Sequence, residues 1–234
     1  PWIDAVEHQM VGDSNLFRDQ GQILIHSNTI SHSAEYGIVA DAGQRDRSDL
    51  VPLAGDLPHA GPVRNLRIPH NQREVPGAVI ENNVISGSGT AGILFSGDSN
   101  AGTGELASVP FGRIINNTIY GDGSNVGIAV TQNASPTIMN TILANLGTGL
   151  LIDGSSSTTQ MQGMLFQDVA TPSSNGIVGT FPIVLATNDP LFVDAAAGNF
   201  QLAAGSKAID SSVELIEEQP NRPELAVLEN GWKI

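Results

Sequence analysis

The sequence predicts an all-β chain wound as a solenoid, with equivalent strands stacked from one coil to the next. Three observations predict this. A short motif recurs along the chain in one phase, and a glycine with a further apolar run follows each copy at a nearly constant distance. The composition is turn-rich, with 26 Gly and only 15% charged and 5% aromatic residues among 234. A helix would need apolar residues at i, i+3, i+4 and i+7, and no sustained example occurs before the C-terminal tail.

The elements follow in order. The opening stretch, PWIDAVEHQMVGDSNLFRDQ, has sparse and irregular apolar residues, so a first coil and an N-terminal cap both stay open for it. The first motif copy is ILIHSNTIS at 23–31; the others are AVIENNVIS at 78–86, GRIINNTIY at 112–120 and SPTIMNTIL at 135–143. Aligned on Asn28, Asn83, Asn117 and Asn140, they place Ile30, Ile85, Ile119 and Ile142 two residues later. Ile25, Ile80, Ile114 and Thr137 fall three residues earlier. Glycine and an apolar run then follow at Gly37, Gly92, Gly127 and Gly149, with offsets from the Asn of 9, 9, 10 and 9. The Asn-to-Asn spacings are 55, 34 and 23, which gives a unit near 22–23 residues with insertions in two coils. QMQGMLFQDV reads as a degenerate further coil, with NGIVG as its second strand.

Two strands per coil, joined by Gly/Asn/Ser corners, cannot bury their apolar faces alone, so each coil must stack on its neighbours. Inward Ile positions then form columns. Asn at the corner suits a left-handed backbone, and stacked amides can hydrogen-bond from coil to coil. The Asn column is therefore expected to be structural rather than ligand-binding.

The INNTI…GIxV pattern resembles the repeats of right-handed parallel β-helix proteins of the pectate-lyase-like superfamily, over about residues 20–180. The resemblance implies the fold but not the chemistry, because that fold carries lyases, hydrolases, epimerases, adhesins and tailspikes. A second stretch, DPLFVDAAAGNFQLAAGSKAIDSS at 189–212, is similar to the closing segment of large bacterial secreted or surface β-helix proteins. It is expected to form the terminal coil and cap, with Phe192 and Phe200 covering the end of the core and Gly198 and Gly205 making turns. Residues 1–212 are thus read as one domain and 213–234 as an acidic tail or linker.

Charge narrows the function. With 24 acidic against 10 basic residues the net charge is −14, which repels nucleic acid and anionic membranes. The absence of Cys excludes disulfides, thiolate metal sites and Cys nucleophiles. No apolar run reaches the roughly 20 residues of a membrane-spanning helix. A first residue of Pro suggests a segment of a larger protein.

The insertion at 44–76 holds five of the ten basic residues, with two His and several Pro. Loops projecting from a solenoid often carry function. Arg64, Arg67, His70 and Arg73 are the candidate ligand-binding residues, for an anionic sugar or a partner domain. The plainer reading pairs the loop's Arg residues with Asp46, Asp49, Asp56 and Glu74. The insertion at 96–110 reads as a long turn.

A lyase would need a Lys or Arg base beside a carboxylate neutraliser, and a hydrolase would need two or three acids on one face. The coils show neither in sequence, so no catalytic residue is assigned. His26 and His32 flank the first corner but have only Glu35 near them as a third ligand. Asp189 and Asp194 could hold Ca²⁺, but Asp before Pro is also ordinary turn chemistry, and no motif calls for a metal or cofactor. The sequence therefore leads to a structural, adhesive or spacer module of a secreted or cell-surface bacterial protein, with polysaccharide or neighbouring domains as partners. The alternative is a polysaccharide lyase or epimerase that uses Arg64, Arg67, Arg73 and His70. A third reading is end-to-end self-association.

Overall fold

The computed structural model describes residues 23–41, 74–97 and 109–213. Within them the chain forms successive coils of three strands, one more than the sequence suggests, because the corner inside each motif copy divides it in two. The first coil holds β1 (Ile23–His26), β2 (Thr29–Ser31) and β3 (Tyr36–Asp41). The second holds β4 (Glu74–Glu81), β5 (Val84–Ser86) and β6 (Ala91–Ser96). The third holds β7 (Val109–Ile115), β8 (Thr118–Tyr120) and β9 (Val126–Thr131). The fourth holds β10 (Thr137–Met139) and β11 (Ile142–Ile152), and the fifth β12 (Gln160–Gln162) and β13 (Leu165–Ser173). A partial sixth turn is marked by a bridge from Gln162 to Thr180 and by β14 (Ile183–Leu185).

All pairings between coils are parallel. The first strands make a sheet in the order β1-β4-β7-β10-β12. The second and third strands merge into one sheet, β2-β5-β8-β11-β9-β6-β3, because β11 runs through its corner without a break. The cause is a shortening of that corner. Five residues separate β8 from β9, whereas only three residues separate Ala144 from Thr148, the partners of their ends.

The inward side chains form the expected columns. Ile25, Ile80, Ile114, Ile138 and Met161 stack in the first sheet. Ile30, Ile85, Ile119, Leu143 and Phe166 stack behind the second strands. Ile38, Ile93, Ile128 and Leu150 stack behind the third, beside Ala40, Phe95, Val130 and Ile152. Most are fully buried, and each such aliphatic side chain contributes about 1.5–3 kcal/mol of transfer free energy. The glycine column is also in register, Gly37 over Gly92 over Gly127 over Gly149. A Cβ at Gly92 would lie 2.5 Å from Ile119 Cγ2 and 2.9 Å from the Gly127 carbonyl, so the close approach of neighbouring coils requires glycine there.

Three sequence expectations need correction. In the fourth coil the phase shifts by one residue. Ile138, not Thr137, continues the first-sheet column, and Leu143, not Ile142, continues the second. Asn140 therefore corresponds to Asn116, and Thr141 takes the place of Asn117. NGIVG is not the second strand of the fifth coil, since the later half of β13 already fills that place by pairing Val169 with Leu146 and Thr171 with Thr148.

Finally, Phe192 and Phe200 do not cover the end of the core. They lie in an antiparallel hairpin of β15 (Phe192–Asp194) and β16 (Asn199–Leu202). Gly198 does make its turn, at φ 76°, and Gly205 makes the turn after β16, at φ 79°. The two rings pack on Tyr120, with centroids 6.2 and 5.4 Å away, and Phe192 also packs among Ala144, Leu165, Leu185 and Leu191. Tyr120 and Ala144 are the register partners of Ser31 and Ser86, which points their side chains away from the core. The hairpin thus covers an apolar outer flank that begins where serine gives way to tyrosine. At the solenoid's end, Val184, the register partner of Phe166, is 69% exposed and Phe181 is 68% exposed.

Candidate functional site

Among the described residues, two regions concentrate polar side chains, the corner between first and second strands and the outer face of the first sheet. At the corner the structure divides between two residues the roles that the sequence gives to one Asn. The first residue takes the left-handed conformation: Ser27, Asn82, Asn116, Asn140 and Gly163, with φ from 46° to 61°. The second residue stacks. Asn28 Nδ2 donates to Asn83 Oδ1 at 3.0 Å, and Asn83 Nδ2 to Asn117 Oδ1 at 3.0 Å. The same oxygens accept the Asn28 and Asn83 backbone N–H groups, both at 3.0 Å. Asn83 and Asn117 are 1% exposed, so a ligand has no access to them.

The ladder stops at Thr141, whose hydroxyl donates only to Met139 O, 2.9 Å away. The backbone rung continues regardless, from Val84 N–H to Asn28 O and on through Thr118, Ile142, Leu165 and Ile183. Asn140 instead holds the returning chain. Its Oδ1 accepts from Val213 N–H at 2.8 Å, and its Nδ2 donates to Val213 O at 3.1 Å.

The carboxylates of the later coils and hairpin build turns. Asp153 accepts from the N–H groups of Gln132 (2.7 Å) and Ser156 (2.8 Å) and from the Ser155 hydroxyl (2.7 Å). Partial burial raises its pKa, but these hydrogen bonds outweigh that and hold it below the ordinary Asp value. Asp122 is held low chiefly by the hydroxyl and N–H of Ser124. Asp189 is held low by Lys207, 2.9 Å away, and by the Ala186 N–H. Asp194 accepts from Ala197 N–H at 3.0 Å and caps a short 3-10 helix, Ala195–Ala197. Asp189 and Asp194 are thus turn residues, and Asp122, Asp153 and Asp189 are ionised acceptors at neutral pH rather than proton donors. The sequence gives Asn125 no role, but it is a buried corner residue. Its Nδ2 donates to Ser88 O, and its Oδ1 accepts from Asp122 N–H.

On the outer face of the first sheet, His26, Glu81 and Arg113 come from three consecutive coils. His26 Nδ1 lies 3.1 Å from Glu81 Oε1, and its Nε2 lies 3.0 Å from the Ser27 hydroxyl. Arg113 pairs in register with Val79 and Thr137, and Glu81 with Ile115, which puts Arg113 one diagonal step from Glu81. His32 sits apart, at the turn after β2 with φ 56°. Arg64, Arg67, His70 and Arg73 lie outside the described residues. The connection that carries them runs from β3 into β4, and so enters this sheet. The second insertion runs from β6 into β7 and enters it at the next strand.

Parallel three-strand coils stacked about a common aliphatic core define a β-solenoid. The sequence matches the family described as right handed beta helix region over residues 16–179, and the chain belongs to that family. Comparison with curated proteins and with solved structures returned no match.

Proposed function

We propose that this chain is a structural, adhesive or spacer module of a larger secreted or cell-surface bacterial protein, with polysaccharide or neighbouring domains as its partners. The observation that carries this reading is the use made of its polar side chains. Asn28, Asn83 and Asn117 bond coil to coil, and Asp122, Asp153, Asp189 and Asp194 hold turns. A chemistry-bearing carboxylate needs a free oxygen and a pKa suited to proton transfer. Three of these four are pushed the other way. No cofactor enters this reading.

One observation favours the second reading, a lyase or epimerase on an anionic polysaccharide. The His26–Glu81 pair and Arg113 share one sheet face, and the connection bearing Arg64, Arg67, His70 and Arg73 leads into that sheet. The same basic groups would bind an anionic sugar without turning it over, so binding and turnover must be measured apart. The purified chain is mixed with pectate, alginate, hyaluronan and chondroitin, with and without Ca²⁺. Unsaturated product is followed by ultraviolet absorbance, and retention is followed by affinity electrophoresis. Retention of a polysaccharide without product is expected. Product formation overturns the module reading. For end-to-end association, burial of Phe181 and Val184 would give a concentration-dependent sedimentation coefficient that falls after Val184→Asp.

A further inference from the structure

We propose that Asn175, in the turn that leaves the fifth coil, is a site of intramolecular deamidation. Its neighbour is Gly176, and both are exposed. Asn175 Oδ1 accepts two hydrogen bonds, from the Ser173 hydroxyl at 2.7 Å and from Ile177 N–H at 3.0 Å. The Ile177 N–H can only donate, which fixes the facing atom as the amide oxygen. Both donors point at the atom where negative charge develops when the amide carbon is attacked, the geometry that stabilises an oxyanion.

The attacking atom is the Gly176 nitrogen. A Cβ built on Gly176 would meet nothing within 4 Å, so water and hydroxide reach the peptide freely. One contact opposes the reaction, a 3.2 Å hydrogen bond from Gly176 N–H to Ser173 O, which must open first. The site also shows in the packing. Ser173 is the register partner of Leu150 and ends the column of Ile38, Ile93 and Ile128. A buried hydroxyl thus stands at an aliphatic position, and it is spent on the Asn175 side chain.

The steps balance as follows. Hydroxide removes the Gly176 amide proton, and the nitrogen attacks Asn175 Cγ, forming a C–N bond and placing the charge on Oδ1. Collapse breaks the bond from Cγ to Nδ2, which leaves as ammonia with a proton from water. Water then opens the five-membered imide at either carbonyl, giving aspartate or isoaspartate. The isoaspartate product adds a methylene to the main chain between Ser173 and the bridge at Thr180.

The test is peptide mapping by mass spectrometry of the folded chain after prolonged incubation at neutral pH. Asn230, the other Asn followed by Gly, is the internal reference. Conversion of Asn175 to a mixture of aspartate and isoaspartate is expected. Ser173→Ala slows it about 2- to 10-fold, the effect of one neutral hydrogen bond. Ser173→Thr, which keeps the hydroxyl, restores the rate, and Asn230 converts equally in all three proteins. The proposal is overturned if Asn175 stays intact while Asn230 converts, or if Ser173→Ala converts at the parent rate.

Discussion

Replacing Asn117 by alanine tests the stacked-amide account most directly. The side chain accepts from Asn83 N–H and Asn83 Nδ2, both at 3.0 Å, and donates to Ile80 O at 2.8 Å and Ile115 O at 3.1 Å. Ile115 O also accepts from Asn82 N–H, so it keeps a partner after truncation. The other three bonds are worth about 0.5–1.5 kcal/mol each, and orphaning the Asn83 N–H inside the stack adds a desolvation cost. The expected loss is about 3–5 kcal/mol. In urea, with m no larger than about 3 kcal/mol/M, the midpoint falls by at least about 1 M. The chain supplies its own comparisons. Thr141 at the equivalent corner donates to Met139 O, and Met139 is the register partner of Ile115. Asn117→Thr therefore restores only the bond to Ile115 O and none of the three counted above, so its stability should stay within about 1 kcal/mol of Asn117→Ala. Asn28→Ala, at the exposed end of the ladder, removes the bonds to His26 O and Asn83 Oδ1 and should cost only about 1 kcal/mol. Equal midpoints for the Asn117 and Asn28 alanine variants would refute the argument, because burial would then have no bearing on the ladder.

Gly92→Ala sets a Cβ against Ile119 Cγ2 and the Gly127 carbonyl, and should destabilise by about 1–3 kcal/mol; an unchanged melting temperature would show that the coils part freely. Asp153 has a folded pKa below its unfolded one, so it adds stability above the ordinary carboxylate range, and that stability is lost as pH falls through the folded value. Asp153→Asn should therefore flatten the acid limb of a melting-temperature profile, and an unaltered slope below about pH 4 would remove this group from the account. Phe200→Ala removes a ring whose centroid lies 5.4 Å from both Tyr120 and Phe192. Limited proteolysis should then cut the hairpin while the coils stay protected, and simultaneous digestion of both would show that flank and solenoid form one cooperative unit.

The solenoid was legible because stacking writes itself into sequence as a phase. Ile25, Ile80 and Ile114 occupy one column because each must cover its neighbour, and Gly37, Gly92, Gly127 and Gly149 because no side chain fits between those coils. The phase was lost where the corner lengths changed together. A longer corner after β8 and a shorter one after Ala144 left the Asn-to-Gly offsets at 10 and 9, which hid a one-residue slip. The sequence does not show which of two adjacent corner residues takes the left-handed conformation, for a related reason. In Asn82-Asn83 and Asn116-Asn117 the two neighbours have the same chemistry, and only Ser27-Asn28, where serine takes the positive φ, tells them apart.

The outer flank is illegible in the sequence for a different reason. An outward aromatic such as Tyr120 breaks no rule of an alternating strand, and only the hairpin that meets it reveals its purpose. The same logic locates function in a repeat protein. A residue that recurs in register is answerable to the coils above and below, as Asn83 is to Asn28 and Asn117, and changing it to suit a ligand would break the stack. Positions free to acquire chemistry are those where the repeat departs from itself: the connection holding Arg64, Arg67, His70 and Arg73, the His26–Glu81–Arg113 row of unlike outward residues, and Ser173 at the end of its aliphatic column. Each departure gives up something the stack would otherwise use, whether chain length, a matched outward pair or a buried aliphatic side chain. Binding lost on changing the Arg cluster, with the coils as stable as before, is the result this division predicts.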